Sequence, residues 1–539
     1  MNSDFDPAKK RLSIWLPLLF ALVLALGMFL GSKFQTVEVG GPNIVLRNSG
    51  GKIDQILKLV QNRYVDTVDT EDLTDKTISQ LLTQLDPYSA YIPAASYEEV
   101  NQPLEGNFEG IGIEFYKLND TILVVSALSG GPSEQVGIRG GDKIVTVDSV
   151  PVAGQNLSNE DIIKKLRGKK GSKVQVGIKR NGQKELLSFT ITRDRIPIYS
   201  VDIAYMVAPE VGYIKINKFS ATTADEFRQA FAKLRSNSPI KGLVLDLRGN
   251  PGGYLDAAIR LADEFLPTGK LITYTEGRTQ PRRDFSSSSS GLFETGKLVV
   301  LIDEGSASAS EIVSGAIQDW DRGEVIGRRS FGKGLVQEQF DMRDGSAVRL
   351  TVSRYYTPSG RSIQKPYEGG KSSDDFLERL ERGELFSADS IQQNDSLQFR
   401  TASGRLVFGG GGIMPDIFVP ADSNKFSDYF NALNNTGTLI QFSYVYADQQ
   451  RAQLERFKTA DAFVKGFQVD AALVQALMAY AKSEGIENKG DDYKKDLDTI
   501  RLYLKANIGR QLFSNEAFFP VIQQRDKTLK KALEVLQAG

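Results

Sequence analysis

GLVLDLRGNPGGYLDAAIRLADEFL, residues 242–266, holds the architecture of the protein in one stretch. GLVLDL is a short apolar run, RGNPGG is a turn, and YLDAAIRLADEFL returns apolar residues at helical spacing. The pattern repeats downstream, where KLVVLI (297–302) leads through DEGSAS into a helical stretch ending at Trp320. Continuous apolar strands alternating with helices predict a parallel sheet covered on both faces. In open sheets of this kind, active sites gather just beyond the carboxyl ends of the strands. RGNPGG and EGSAS both lie there.

Working outward, the texture changes on each side. Residues 107–192 consist of short β-type runs punctuated by glycine (GIGIEF, TILVVSAL, KIVTV, KVQVGIKR, LLSFTITR), with one helix-like piece at 160–166. That pattern predicts a small, mostly β domain. Residues 53–85 have helical periodicity, which LDPYSAYIP (85–93) breaks with two prolines. Near the start, LSIWLPLLFALVLALGMFLG (12–31) runs twenty residues without a charge, enough to cross about 30 Å of hydrocarbon as a helix. Lys9, Lys10 and Arg11 precede it, which keeps the N-terminus cytoplasmic and sends the remainder across. No A-x-A-like cleavage site follows, so a retained anchor is favoured over a signal peptide. The serines at 286–290 read as linker, and from 426 onward helix formers dominate without a legible motif. The expected fold class is α/β and β multidomain, in five parts. They are a tail and transmembrane helix (1–34), a linker and helical segment (35–100), the β domain (101–195), the α/β core (196–425) and a helical C-terminal region (426–539).

Composition narrows the chemistry. At 539 residues the chain suits three or four domains of about 150 residues each. Sixty-six basic against 67 acidic side chains leave a net charge of −1, which gives no footprint for nucleic acid. There is no Cys and no His. Disulfides, Cys-ligated zinc, iron–sulfur clusters, His-bound haem, Cys nucleophiles and Ser-His-Asp triads are therefore excluded. The absence of Cys also fits an oxidising envelope compartment.

Two constellations remain. GSASASEI (305–312) sits at a strand-to-helix junction. Ser308 followed three residues later by Glu311 is a capping box that merely satisfies backbone donors. That capping reading is the stronger from these residues alone, although a helix N-terminus is also where free N–H groups and the positive dipole end stabilise an oxyanion. SFGKG (330–334) places a lysine between glycines. From Gly327 it fits the G-x-x-x-x-G-K of a phosphate loop, but Gly334 replaces the Ser or Thr that would hold magnesium. GLFETGK (291–297) makes the same incomplete match. The hydrolytic option left is a serine activated by a lysine, which must be desolvated to act as a base near neutral pH.

LVLDLRGNPGGYLDAA, GSASASEI, FGKGLVQ and GGGIMPDIFVP, in that order, resemble the C-terminal processing peptidases, or tail-specific proteases. The β domain resembles their PDZ module, LDPYSAYIP resembles the segment leading into it, and the likeness runs from about 53 to 420. The resemblance implies a crotonase-like α/β protease core with a Ser–Lys dyad. Residue by residue it assigns Ser308 and Lys333, with Gln337 holding the amine. An extended chain would put Gln337 about 13 Å from Lys333 at 3.3 Å per residue, so spacing alone does not support that contact. The implied oxyanion hole is the N–H of Ala309 plus one from Gly252 or Gly253. In the PDZ-like part, Gly110, Ile111, Gly112 and Ile113 match a loop that captures a terminal carboxylate. An ordinary glycine-containing strand fits the same residues. Arg167 resembles an arginine that couples docking to the active site, and it also reads as a solvated basic turn.

The resulting expectation is a serine endopeptidase in a bacterial-type inner membrane. A single N-terminal span anchors it, with the catalytic part on the periplasmic side. It takes protein or peptide substrates by their C-termini and cleaves envelope proteins without metal or other cofactor. Nucleic acid is not a partner, and oligomeric state is left open. The rival expectation is a non-catalytic PDZ scaffold on a protease-like fold.

Overall fold

The structure, a computed structural model, describes residues 21–27 and 51–538 apart from 119, 129, 289–290, 369–370, 373–375, 393 and 424. The chain divides into two units, 1–74 and 75–539. The expected anchor at 12–31 lies outside the described residues except for 21–27, which are helical and exposed. Among the described residues, no single helix is long and apolar enough to cross a membrane. The helical stretch expected at 53–85 resolves into two helices, Lys52–Arg63 and Thr70–Thr83. Asp69 starts the second by accepting the N–H groups of Glu71 and Asp72 at 3.0 and 3.1 Å.

LDPYSAYIP ends in a short strand, β1 (Ala90–Ile92), followed by helix α1 (Tyr97–Glu105). The β domain comes next. Its sheet runs in the order β2 (Ile113–Leu118), β3 (Thr121–Ala127), β4 (Lys143–Val147), β5 (Lys173–Lys179), β6 (Leu187–Thr192), with Val150–Pro151 paired to β4. Helix α2 (Asn159–Leu166) starts at a capping box between Ser158 and Asp161 and buries Ile162 and Leu166. Both sit in a core with Val124, Ile144, Val176 and Ile178. Alternating burial along β5 is the period-2 pattern of a sheet with one covered face.

The α/β core is built on a six-stranded sheet. Strand β7 (Val201–Ala208) is antiparallel to β8 (Val211–Ile216). From β8 the sheet continues in parallel through β9 (Gly242–Asp246), β12 (Lys297–Ile302), β13 (Glu324–Gly327) and β16 (Ile417–Phe418). All five residues of β9 are buried, as a strand covered on both faces requires. Helices α3 (Thr223–Asn237), α4 (Leu255–Asp263) and α5 (Ala309–Asp319) contribute to the core cluster, with Phe227, Leu261 and Ile312 packing beside Leu243 and Val300. A second, antiparallel sheet joins β10 (Leu271–Glu276), β11 (Arg283–Ser286), β14 (Leu335–Asp341) and β15 (Ala347–Tyr356). β1 adds to its edge, pairing Ala90 with Arg349. The segment after LDPYS thus hooks onto a strand that comes much later in the chain.

The C-terminal region is helical from Asp428 onward and has its own core around Phe430, Leu433, Phe463 and Leu504. Its final helix, α6 (Lys527–Gln537), lays Leu529, Ala532 and Leu536 against Val244, Val299 and Leu301 of the main sheet.

Candidate active site

Ser308 stands where β12 has ended and α5 begins. Its backbone is at φ 54°, ψ −110°. A simple helix cap occupies the β region, and a non-glycine residue in this sparsely populated conformation costs about 1–3 kcal/mol. The capping box is present, with Glu311 Oε2 accepting the Ser308 N–H at 2.8 Å, but capping does not require the strained backbone. The turn places Ser308 just beyond the carboxyl end of β12, a strand flanked on both sides in the sheet.

Glu311 does more than cap. It is fully buried, and its other oxygen accepts the Ser330 hydroxyl at 2.5 Å and the Gly332 N–H at 2.7 Å. Oε2 takes, besides Ser308, the N–H of Lys333 at 2.9 Å. On the carbonyl side, the Tyr355 hydroxyl lies 3.1 Å from Ser308 O and 2.7 Å from Lys333 O. One carboxylate and one phenol therefore fix the backbones of Ser308 and Lys333 relative to each other. Burial pushes the Glu311 carboxyl up to about 7, against the pull of its four donors.

The Lys333 amine is held below its ordinary range, first by burial and then by the charge of Arg349, while Glu311 and Asp86 work the other way. Its Nζ lies 4.6 Å from the centre of the Tyr88 ring. Among the described residues no hydrogen bond joins it to Ser308. Among the described residues no hydrogen bond joins it to Gln337 either: the Gln337 Nε2 donates to Thr351 Oγ1 at 3.2 Å, and Thr351 donates to Asp86 Oδ1 at 3.1 Å. The resemblance put Gln337 on the amine. The structure puts it in a chain that ends on Asp86, because a strand register shift between Val336 and Gln337 sets the glutamine opposite Thr351.

RGNPGG forms the facing wall. Asn250 organises it: its carbonyl accepts the Ala307 N–H (2.9 Å) and the Ser310 hydroxyl (3.0 Å), while its Nδ2 donates to Ile216 O (2.9 Å). Its Oδ1 accepts the Gly252 N–H at 2.9 Å. Gly252 has φ +98°, and a Cβ there would lie 2.8 Å from Ser308 Cβ and 3.0 Å from Ala309 N, so only glycine fits. With Gly252 committed to Asn250, the backbone donors left at this wall are the N–H groups of Gly253 and Ala309. Neither has an acceptor among the described residues.

Both degenerate phosphate-loop matches run into strands, β14 after Lys333 and β12 after Gly291–Lys297, where a phosphate loop opens a helix. Sequence reasoning missed Glu311 in its wider role, and also Tyr355, Asn250, Asp86 and Tyr88. Only the S-x-x-E spacing and the conformational punctuation of LDPYS signalled any of them.

In the β domain, Gly110 closes a strand (Asn107–Gly110), Ile113 opens β2, and Ile111 and Gly112 form the loop between. Gly112 has φ +72°. Ile111 is 2% exposed, and its carbonyl accepts the Ser133 N–H and hydroxyl at 3.1 and 2.6 Å. Among the described residues the N–H groups of Ile111 and Gly112 have no acceptor. Arg167 lies beside this loop, with its guanidinium 5.1 Å from the Phe108 ring centre and 4.0 Å from Glu99 of α1.

Four family models match the chain. Residues 210–372 match peptidase family S41, 110–191 a PDZ domain, 35–96 the N-terminal domain of the activating protease CtpB, and 429–514 a family of unknown function. The carboxy-terminal-processing protease of Bartonella bacilliformis is 38% identical over 317 residues, 58% of this chain and 72% of that protein. The carboxy-terminal processing protease CtpB of Bacillus subtilis is 36% identical over 351 residues, 64% of this chain and 71% of that one. Among solved structures, the photosystem II D1 C-terminal processing protease aligns at 26% identity and a TM-score of 0.36, covering 69% of this chain and 87% of that one. With a PDZ domain ahead of an S41 core, the chain belongs to the carboxy-terminal processing proteases of peptidase family S41.

Proposed function

We propose that the protein is a membrane-anchored serine endopeptidase that takes envelope proteins by their C-termini and cleaves them with a Ser308–Lys333 dyad. The observation that carries this reading is the bracket of Glu311 and Tyr355, which ties a strained serine to a half-buried lysine through both N–H groups and both carbonyls. A structural cap has no use for such a tie.

The neutral Lys333 amine accepts the Ser308 Oγ proton as Oγ attacks the scissile carbonyl. The N–H groups of Ala309 and Gly253 receive the oxyanion. The Lys333 ammonium then protonates the leaving amine, and water hydrolyses the acyl-enzyme by the same steps in reverse roles. Gln337, through Thr351, keeps Asp86 and the strand carrying the lysine loop in register. The loop at Gly110–Ile113 receives the substrate carboxylate on the N–H groups of Ile111 and Gly112, and Arg167 links that loop to α1. Lys9, Lys10 and Arg11 ahead of the apolar stretch at 12–31 support an inner-membrane anchor with the catalytic part outside the cytoplasm.

Ser308→Ala and Lys333→Ala should each abolish cleavage in the folded protein, and Lys333→Arg should be equally inactive because a guanidinium does not deprotonate. The measurement is peptide hydrolysis together with mass spectrometry of envelope-protein C-termini in cells carrying Ser308→Ala. Cleavage by the Ser308→Ala protein at the wild-type rate would sink the dyad.

A further inference from the structure

Tyr88 reaches the site from far away in the chain. Asp86 accepts the N–H groups of Tyr88 and Ser89 at 2.8 Å each and the Ser89 hydroxyl at 2.6 Å, curling LDPYS into a tight turn. Thr351 of β15 donates its hydroxyl to the same carboxylate and its N–H to Ser89 Oγ, both at 3.1 Å. β1 then continues along β15. The turn is thus fixed to β15 by side chain and by strand pairing, and it sets the Tyr88 ring 4.6 Å from Lys333 Nζ. Burial pushes the Tyr88 hydroxyl up to about 12, so the ring stays neutral across the working range.

An aromatic face attracts an ammonium through its quadrupole and has no comparable hold on a neutral amine. A base that is to take the Ser308 proton must first be neutral. We propose that Tyr88 is a positioning residue of the dyad: its ring holds the protonated Lys333 amine away from Ser308, and the amine is released to the serine hydroxyl once its proton has left to water. This rests on the reading of Ser308 and Lys333 as the dyad. The groups facing the amine come from three elements, β15, α5 and the turn that carries Asp86 and Tyr88. Burial and Arg349 of β15 disfavour the ammonium, while Glu311 of α5 and Asp86 of the turn favour it. Tyr88 acts in both senses, since its bulk excludes water while its face attracts the charge. Substitution separates the two.

Tyr88→Leu keeps an apolar wall but removes the aromatic face, so the midpoint of Lys333 titration should fall by about 0.5–1.5 pH units. Tyr88→Phe should keep the wild-type midpoint. Tyr88→Phe carrying one, two or three ring fluorines keeps the shape while weakening the face, and should lower the midpoint stepwise. The readout is the pH dependence of Lys333 acetylation by an N-hydroxysuccinimide ester, followed by peptide mass spectrometry on the full chain in a Ser308→Ala background. The same series with Ser308 intact should move the pH profile of kcat/KM in parallel. An unchanged or raised midpoint across the fluorinated series overturns the proposal, and that series does not depend on Tyr88→Leu folding. Full cleavage by Lys333→Ala would instead sink the dyad reading, and the titration of Lys333 would still report on Tyr88.

Discussion

Ser308 carries a cost that its fold must offset. Its φ of 54° with ψ −110° suits glycine, so Ser308→Gly should be more stable than Ser308→Ala by about 1–3 kcal/mol, with both inactive. Equal denaturation midpoints for the two would mean that the turn is not strained. Glu311 adds a second tension. Its folded-state value of about 7 lies above the ordinary 4.5. The protonated form is therefore favoured by folding, and that contribution is complete below about 4.5 and lost as pH rises through about 7. Only the ionised form can accept all four donors, so the bracket is fully formed at the pH where the protein is less stable. Measured by denaturation, Glu311→Gln should be destabilised at every pH because it loses acceptor capacity. Its deficit should shrink by about 3 kcal/mol between about pH 4.5 and 7, as the wild type alone gives up stability. A deficit that stays constant across that window would show that Glu311 titrates normally. At this scale the sequence displayed the S-x-x-E spacing, but the partners of Glu311 at 330–333 are brought to it only by the turn after β13.

The elements were easier to read than the residues. The apolar runs that became β9 and β12, and the alternating run that became β5, follow the periodicities of buried and one-sided strands. The break at 64–69 was not legible, because periodicity resumes in the second helix with no proline or glycine between. The pairing of β1 with β15 was hidden too, since nothing local in a three-residue strand names its partner. The loop between the strand ending at Gly110 and β2 has the form of an anion cradle, with N–H groups of Ile111 and Gly112 uncommitted. A peptide with a free terminal carboxylate and an apolar last residue should therefore bind the Ser308→Ala protein about tenfold or more tightly than its amidated form, because charge-assisted hydrogen bonds are lost on amidation. Isothermal titration of the two peptides checks this, and equal affinities would leave the loop without a docking role.

Across the whole molecule, the C-terminal helices touch both functional parts. At the end of the helix Leu497–Phe513, Arg510 pairs with Glu114 of β2 at 2.6 Å, and Gln511 Nε2 donates to Val125 O of β3 at 2.8 Å. Sixteen residues later, at the start of α6, Asp526 holds Arg248 of the RGNPGG turn at 3.1 and 2.7 Å. Gln523 Nε2 donates to the Tyr213 hydroxyl at 2.7 Å, and Tyr213 in turn donates to Asp246 at 2.6 Å. No motif marked this region, because its role lies in contacts spread over many ordinary residues. The Arg510–Glu114 pair is partly exposed, so Arg510→Glu or Glu114→Arg alone should loosen the PDZ domain by no more than about 1 kcal/mol. The double swap should restore it. Hydrogen exchange of β2 and β3 reads the effect, and additive losses in the double variant would show that the two side chains do not act as a pair.

The attachment of β1 to β15 also sets a schedule. Ala90 waits for Arg349, about 260 residues that a ribosome adds in roughly 13–50 s at 5–20 residues per second. Until then Lys333 has no Tyr88 wall, and Arg248 lacks Asp526 until a further 278 residues have followed it. The Tyr88 wall waits for β15 and the hold on Arg248 waits for Asp526, so both contacts close only after segments made later than Ser308 and Lys333 have joined them.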